Sequence, residues 1–115
     1  MCYYGNMAMK ARPAEQYEAR ARIAKALAHP SRLLILDALR QGELCVCELT
    51  PLVGADQSTV SKHLAVLRQA GFVDDHKKGA QAYYRLKCSC LEGFWLCLES
   101  ILKENLKCQQ AAIGS

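Results

Sequence analysis

The stretch that decides the reading of this chain is Gly42 to Leu64, GELCVCELTPLVGADQSTVSKHL. It reads as two helices joined by a short turn. The first runs from about Leu44 to Val53 with Pro51 late in it, and Gly54 marks the turn. Asp56 is a suitable N-cap for the second, which continues through Leu67 to a stop at Gly71. Val60, Leu64 and Leu67 fall on one side of it at helical spacing. The opposite side carries Ser58, Lys62, Ala65 and Gln69, with Thr59 and Ser61 flanking, so that face is small, polar and positively charged. A helix pair of this kind is a helix-turn-helix, whose second helix can enter a DNA major groove because its exposed side chains are short. Unusually, Cys45 and Cys47 sit in the helix before it.

Working outward, an arm ends at Pro13, and the sequence reads helical from Glu15 to near His29, with Tyr17, Ile23 and Leu27 among alanines and arginines. Pro30 opens another helix at its first-turn position, where a missing N–H does no harm. Leu33, Leu34, Ile35, Leu36 and Leu39 supply its buried side, and Gly42 ends it. After Gly71 come two extended stretches, FVDD and AYYRL, around KKG, which read as a hairpin. The segment CLEGFWLCLESILKENLK is helical, with Leu91, Phe94, Trp95, Leu98, Ile101 and Leu102 at helical spacing. So broad an apolar stripe on a last helix fits a dimer surface; an intramolecular core face is the alternative, and both could hold for different sides. The fold expected is therefore mainly α with a small β-hairpin: a winged helix-turn-helix over residues 15–108, an arm at 1–14 and a tail at 109–115.

Composition agrees. The chain of 115 residues is 51% hydrophobic and 23% charged, an ordinary globular balance for one small domain. Its net charge is +4, and its placement matters more than its size. Residues 57–87 hold six basic side chains (Lys62, Arg68, Lys77, Lys78, Arg85, Lys87) against Asp74 and Asp75, while the other nine basic residues cancel the other nine acidic ones. A phosphate-facing surface requires such focusing. The DNA-contact candidates are Gln57, Ser58, Thr59, Ser61 and Lys62 on the second helix, with Lys77, Lys78 and Arg85 on the hairpin. His63 is a further candidate, although its angular position favours packing at the helix flank. No run of about 18 apolar residues spans a membrane, and the first ten residues lack the apolar stretch of a secretory signal, so a cytoplasmic location is expected. The three histidines show no motif-level pairing with a cysteine and no Gly-rich phosphate loop exists, which argues against a thiol enzyme. Seven cysteines do not dominate the composition, which argues against a metal buffer.

The segments ALAHPSRLLILDAL (26–39), GELCVCEL (42–49), QSTVSKHLAVLRQAGFV (57–73) and GAQAYYRL (79–86) resemble the ArsR/SmtB family of metal-responsive repressors, over about residues 15–107. ELCVCEL is similar to the box of its arsenite-sensing and cadmium/lead-sensing branches. The resemblance implies a homodimer formed through the first and last helices, bound to double-stranded operator DNA and released by a thiophilic ion. Arsenite or antimonite is the first expectation for that ion, with cadmium, lead or zinc as alternatives. It also implies that Cys45 and Cys47 are ligands. Where the arsenite branch often places a third cysteine this chain has Thr50, and Cys2 is the candidate substitute, on an arm that could span roughly 40 Å if extended. Cys88 and Cys90 fall where the zinc-sensing branch places an Asp-x-His pair and form a possible second site; the partner positions there are Ile101 and Glu104. For Cys97 and Cys108, burial in the dimer surface is expected.

Two expectations concern the switch itself. Residues i and i+2 of a regular helix point about 200° apart, so Cys45 and Cys47 could grip one ion only if their turn loosened. A sensor of oxidants or sulfur species on the same fold could instead pair Cys45 or Cys47 with Cys88 or Cys90.

Overall fold

The computed structural model describes residues 13–87 and 89–114, with side chains to residue 110. Five helices and a three-stranded antiparallel sheet follow in the order α1 (Ala14–Leu27), α2 (Pro30–Leu39), β1 (Leu44–Cys45), α3 (Val46–Val53), α4 (Gln57–Ala70), β2 (Val73–Lys78), β3 (Gln81–Leu86) and α5 (Leu91–Gly114). Strand β3 is central, with β1 on one side and β2 on the other.

The core gathers where α2, α3 and α4 meet the sheet. Ile35, Leu36 and Leu39 of α2, Leu49 of α3, and Val60, Leu64 and Leu67 of α4 are buried together with Val73 and Leu91. The 4- and 3-residue spacing of the α4 set lays all three on one stripe, which explains why its other side is left to solvent. Leu34, expected on the buried side of α2, is exposed instead, because a ten-residue helix packed on one side cannot bury three consecutive leucine and isoleucine directions.

Helix ends are set by identifiable groups. His29 takes an extended conformation and its Nδ1 accepts from Ser31 N at 3.1 Å, capping α2 just ahead of Pro30. Helix α1 therefore stops at Leu27. Gly54 (φ 77°) and Gly71 (φ 98°) end α3 and α4 in the left-handed region, where a side chain would be strained. The wing turns through Gly79 and Ala80 between Lys78 and Gln81, and Gly79 at φ 63° supplies the positive φ that a two-residue hairpin demands.

One boundary departs from the reading of the sequence. The helix expected from about Leu44 begins at Val46, and Leu44 and Cys45 form the short strand β1 against Tyr84 and Tyr83 of β3. The wing is thus a sheet into which the chain enters before the helix-turn-helix starts. Helix α5 is anchored at its beginning by Leu91, Phe94 and Trp95 against the core and by Arg40, which donates to both oxygens of Glu92 at 2.8 and 2.7 Å and lies over the Trp95 ring. From Glu99 to Gln110 every side chain of α5 is exposed, including Ile101, Leu102 and Leu106. Tyr17 and Ile23 of α1 are exposed too. These are the apolar stripes that the sequence places on the first and last helices.

Candidate DNA interface and thiol site

Helix α4 presents its outer face from the first turn. The Asp56 carboxylate accepts from Thr59 N at 2.8 Å and from the Ser58 hydroxyl at 3.1 Å. Those hydrogen bonds from Thr59, then from Ser58, and the Lys62 charge hold Asp56 below the usual carboxylate range. Gln57, Ser58, Ser61, Lys62, Ala65 and Gln69 are exposed and Thr59 is half-buried, as the helical wheel of the sequence requires. His63 is half-buried against His29, with ring centroids 4.4 Å apart, so it packs at the flank. Burial first, then the neighbouring His29 and Arg32, pushes the His63 imidazole below its ordinary value.

The basic residues of the wing are not equivalent. Arg85 faces Asp74 across the β2–β3 ladder and donates to it at 2.7 Å. Lys78 Nζ lies 2.9 Å from Glu43, and Arg68 of α4 lies 3.3 Å from Asp75. Bonding to Glu43 raises the Lys78 ammonium above its usual value, and Lys78 and then His76 lower the Glu43 carboxyl. Among the described residues, Lys62, Lys77 and Lys87 form no salt bridge, so the uncommitted positive charge of the 57–87 stretch rests on these three lysines. Sequence reasoning missed Glu43. Its carboxylate accepts from His76 Nε2 at 3.1 to 3.2 Å as well as pairing with Lys78, which ties the chain just before β1 to the wing. The acidic residue two positions before Cys45 was the signal, but only the unexpected strand β1 brings it beside His76.

Cys45 and Cys47 lie at the junction of this sheet with α3. Cys45 is the N-cap residue of α3, extended at φ −84° and ψ 165°, and Cys47 is in the first turn. That change of backbone direction turns the two side chains towards each other, and their sulfurs are joined in a disulfide with the Cα atoms 5.2 Å apart. Two expectations are corrected here. The pair converges without any unwinding of α3, because Cys45 lies outside the helix; and Cys45 and Cys47 are bonded to each other, not to the second C-x-C. The turn is braced on one side, where Glu48 Oε1 accepts from Cys45 N at 3.0 Å and the Thr50 hydroxyl donates to Val46 O at 2.8 Å. On the other side Pro51 has no N–H to offer the Cys47 carbonyl, which leaves this turn short of one helical hydrogen bond.

The other cysteines are spread out. Cys2 and Cys88 lie outside the described residues. Cys90 is itself engaged in a disulfide, and Cys97 and Cys108 are free thiols exposed on the single chain. Among the described residues no group of three His, Cys, Asp or Glu side chains is placed to hold a metal ion, so Cys45 and Cys47 would need a further ligand from elsewhere. Only in the reduced form would Cys45 and Cys47, with Cα atoms 5.2 Å apart, offer two soft thiolate ligands. Among those residues no helix is long and apolar enough to cross a membrane.

Comparison with known proteins follows this geometry closely. The profile of the family described as "Bacterial regulatory protein, arsR family" matches residues 29–75, from the α2 cap to the start of the wing. The homodimeric winged helix-turn-helix DNA-binding domain of a possible ArsR-family transcriptional regulator from Mycobacterium bovis superposes with a TM-score of 0.72 at 32% identity, over 88% of this chain and 94% of that one. The chain belongs to the ArsR family. This is a family of regulatory proteins and not of enzymes. This ArsR-family chain is 52% identical over 56 residues, 49% of its length, to the "Arsenic resistance transcriptional regulator ArsR1" of Pseudomonas putida. It is 42% identical over 64 residues, 55% of its length, to the "Cadmium resistance transcriptional regulatory protein CadC" of Listeria innocua. The chain spans about half the length of the curated relatives it matches, 43% of the first and 54% of the second.

Proposed function

We propose that the protein is a homodimeric transcriptional repressor that binds double-stranded operator DNA and is released from it by a thiophilic metal(loid) held at Cys45 and Cys47, with arsenite or antimonite as the inducer. The observation that carries this reading is the position of the cysteine pair. Two converging sulfurs sit where the sheet of the wing becomes the first helix of the DNA reader. In the DNA-bound form, Gln57, Ser58, Thr59, Ser61 and Lys62 face the major groove and Lys77 meets the backbone beside it. Lys78 and Arg85, candidates from the sequence, are held by Glu43 and Asp74 and act mainly to shape the wing. The exposed apolar faces of α1 and α5 supply the dimer contact, so that two α4 helices read two half-sites.

In the induced form Cys45 and Cys47 contribute two thiolates, and Cys2 is the candidate third sulfur. A thiophilic ion would, when bound to the reduced chain, link these thiolates in place of the disulfide. Cys45 belongs to β1, paired with Tyr83, and Glu43 holds His76 and Lys78, so a shift of the Cys45 peptide is transmitted to the wing directly. Leu49 of α3 packs in the same core as Val60, Leu64 and Leu67, so a shift of the α3 first turn also reaches α4. Release requires only that the ion favour the displaced arrangement over the DNA-competent one. The likeness to the cadmium regulator keeps cadmium and lead as the second reading, with the same two cysteines.

The test uses a duplex selected by the reduced protein from a random-sequence pool. Release from it is followed by fluorescence anisotropy during titration with arsenite, antimonite, cadmium, lead and zinc. The proposal expects arsenite or antimonite to act at the lowest concentration, and Cys45→Ser/Cys47→Ser to stay bound. Release of that double variant by arsenite would overturn it, and cadmium or lead acting first would select the second reading.

A further inference from the structure

We infer that the Cys45–Cys47 pair is also an oxidation site, whose disulfide keeps the protein on DNA and makes it unresponsive to the thiophilic inducer. This inference rests on the reading just given, since it concerns how the same thiols are withdrawn from use. With the bond in place both sulfurs are consumed, so neither is a thiolate that could hold an ion. With the bond in place, too, the DNA reader is complete. Cys45 N still donates to Glu48, Cys45 still pairs with Tyr83, Asp56 still caps α4 through Thr59 N, and the α4 stripe remains buried. The bond therefore coexists with the arrangement that would face DNA. Oxidation is opposite in effect to metal binding, although both act on one pair.

The surroundings assign the order of the chemistry. Cys47 is exposed while Cys45 is only 1% exposed, so a hydroperoxide reaches Cys47 first. The Cys47 thiolate attacks the O–O bond; with hydrogen peroxide one oxygen leaves as hydroxide, taken up as water, and the sulfur becomes a sulfenic acid. The Cys45 sulfur then displaces that hydroxyl, losing its own proton to form a second water. In sum two thiols and one hydrogen peroxide give one disulfide and two waters; the two sulfurs lose the two electrons that the peroxide gains. A thiol reductant reverses the bond by exchange.

The experiment compares reduced protein with protein oxidised by hydrogen peroxide, each with and without arsenite, on the duplex selected as above. Disulfides are mapped by mass spectrometry after differential alkylation. The expected result has four parts. The mapped bond joins Cys45 to Cys47; the two forms bind DNA within about twofold of each other; arsenite weakens the reduced form by about tenfold or more, the ordinary scale of ligand coupling, and the oxidised form by less than about twofold; and dithiothreitol restores the response. The same pattern in Cys97→Ser/Cys108→Ser assigns the effect away from the free thiols of α5. Loss of DNA binding on formation of the 45–47 bond would overturn the inference, as would undiminished release of the oxidised form by arsenite. So would failure of the bond to form. If the reduced protein also ignores arsenite, the inducer reading fails and the unresponsiveness claim with it, while the mapped bond and the DNA affinity decide the oxidation site separately.

Discussion

Replacing Lys62 and replacing Arg85 remove the same formal charge, yet the structure predicts different consequences for binding DNA. Arg85 is committed to Asp74 at 2.7 Å, Lys78 to Glu43 at 2.9 Å and Arg68 to Asp75 at 3.3 Å. Of the six basic residues between 57 and 87, that leaves Lys62, Lys77 and Lys87, three per protomer and so six per dimer. Each lysine that neutralises a phosphate releases counterions and contributes about −0.9 to the slope of log K against log salt concentration, so the dimer should show a slope of about −5. Affinity then falls roughly a thousandfold between about 50 and 200 mM salt. Lys62→Ala removes two contacts from the dimer and should flatten the slope by about 1.8, and Lys77→Ala should do the same. Arg85→Ala removes a charge already neutralised by its cross-strand neighbour and should change the slope by less than about 0.3, although affinity drops modestly through the freed Asp74. Fluorescence anisotropy on one duplex across a salt series measures all four proteins. A slope change for Arg85→Ala as large as that for Lys62→Ala would refute the reasoning, because it would mean that Arg85 abandons Asp74 for a phosphate on binding.

Other consequences follow from packing and protonation. Leu64 is fully buried among α2, α3 and α4, so Leu64→Ala should destabilise the reduced protein by about 3 kcal/mol through lost burial and a cavity that helices on several sides cannot close, read as a lower urea midpoint with an unchanged m-value. Gly71 ends α4 at φ 98°, and Gly71→Ala should cost about 1 kcal/mol in the same assay although no atom stands where the new methyl would go. The His63 imidazole is held below its unfolded value, mainly by burial and then by His29 and Arg32, so the folded state resists its protonation. Stability from this group is therefore fully present above about pH 6.5, the unfolded value, and is lost as pH falls towards the lower folded one. His63→Gln should flatten the pH dependence of the thermal midpoint in that window, and an unchanged dependence would show that another group governs it.

Much of this molecule is legible in its sequence because the signals are periodic or local. The α4 stripe of Val60, Leu64 and Leu67 follows from helical spacing, and its ends follow from an Asp cap and a Gly stop. The hairpin follows from two β-rich runs around a glycine. The basic stretch announces its surface by counting alone, yet which of its charges are spent depends on cross-strand register, and a single sequence does not fix register. The strand β1 escapes because two residues cannot display alternation; it exists through pairing with β3, more than thirty residues later in the chain. The geometry of the thiols depends on that strand. With Cys45 assigned to a helix, the two thiols point apart and need unwinding to meet; with Cys45 in a strand and Cys47 in the following turn, they meet where they stand. The apolar stripe of α5 was visible as a stripe, whereas its division into a core-facing start and an exposed remainder depends on where the helix leaves the domain.

The central claim is that Cys45 and Cys47 together receive the inducer, and counting thiols tests it most directly. Free thiols are titrated in anaerobic, fully reduced, metal-stripped protein before and after one equivalent of arsenite, in the wild type and in Cys45→Ser/Cys47→Ser. The account predicts that about three thiols per chain become unreactive, the number arsenite-type ions favour, and that the double substitution abolishes this protection. Protection that is absent, or that persists undiminished without Cys45 and Cys47, would contradict it.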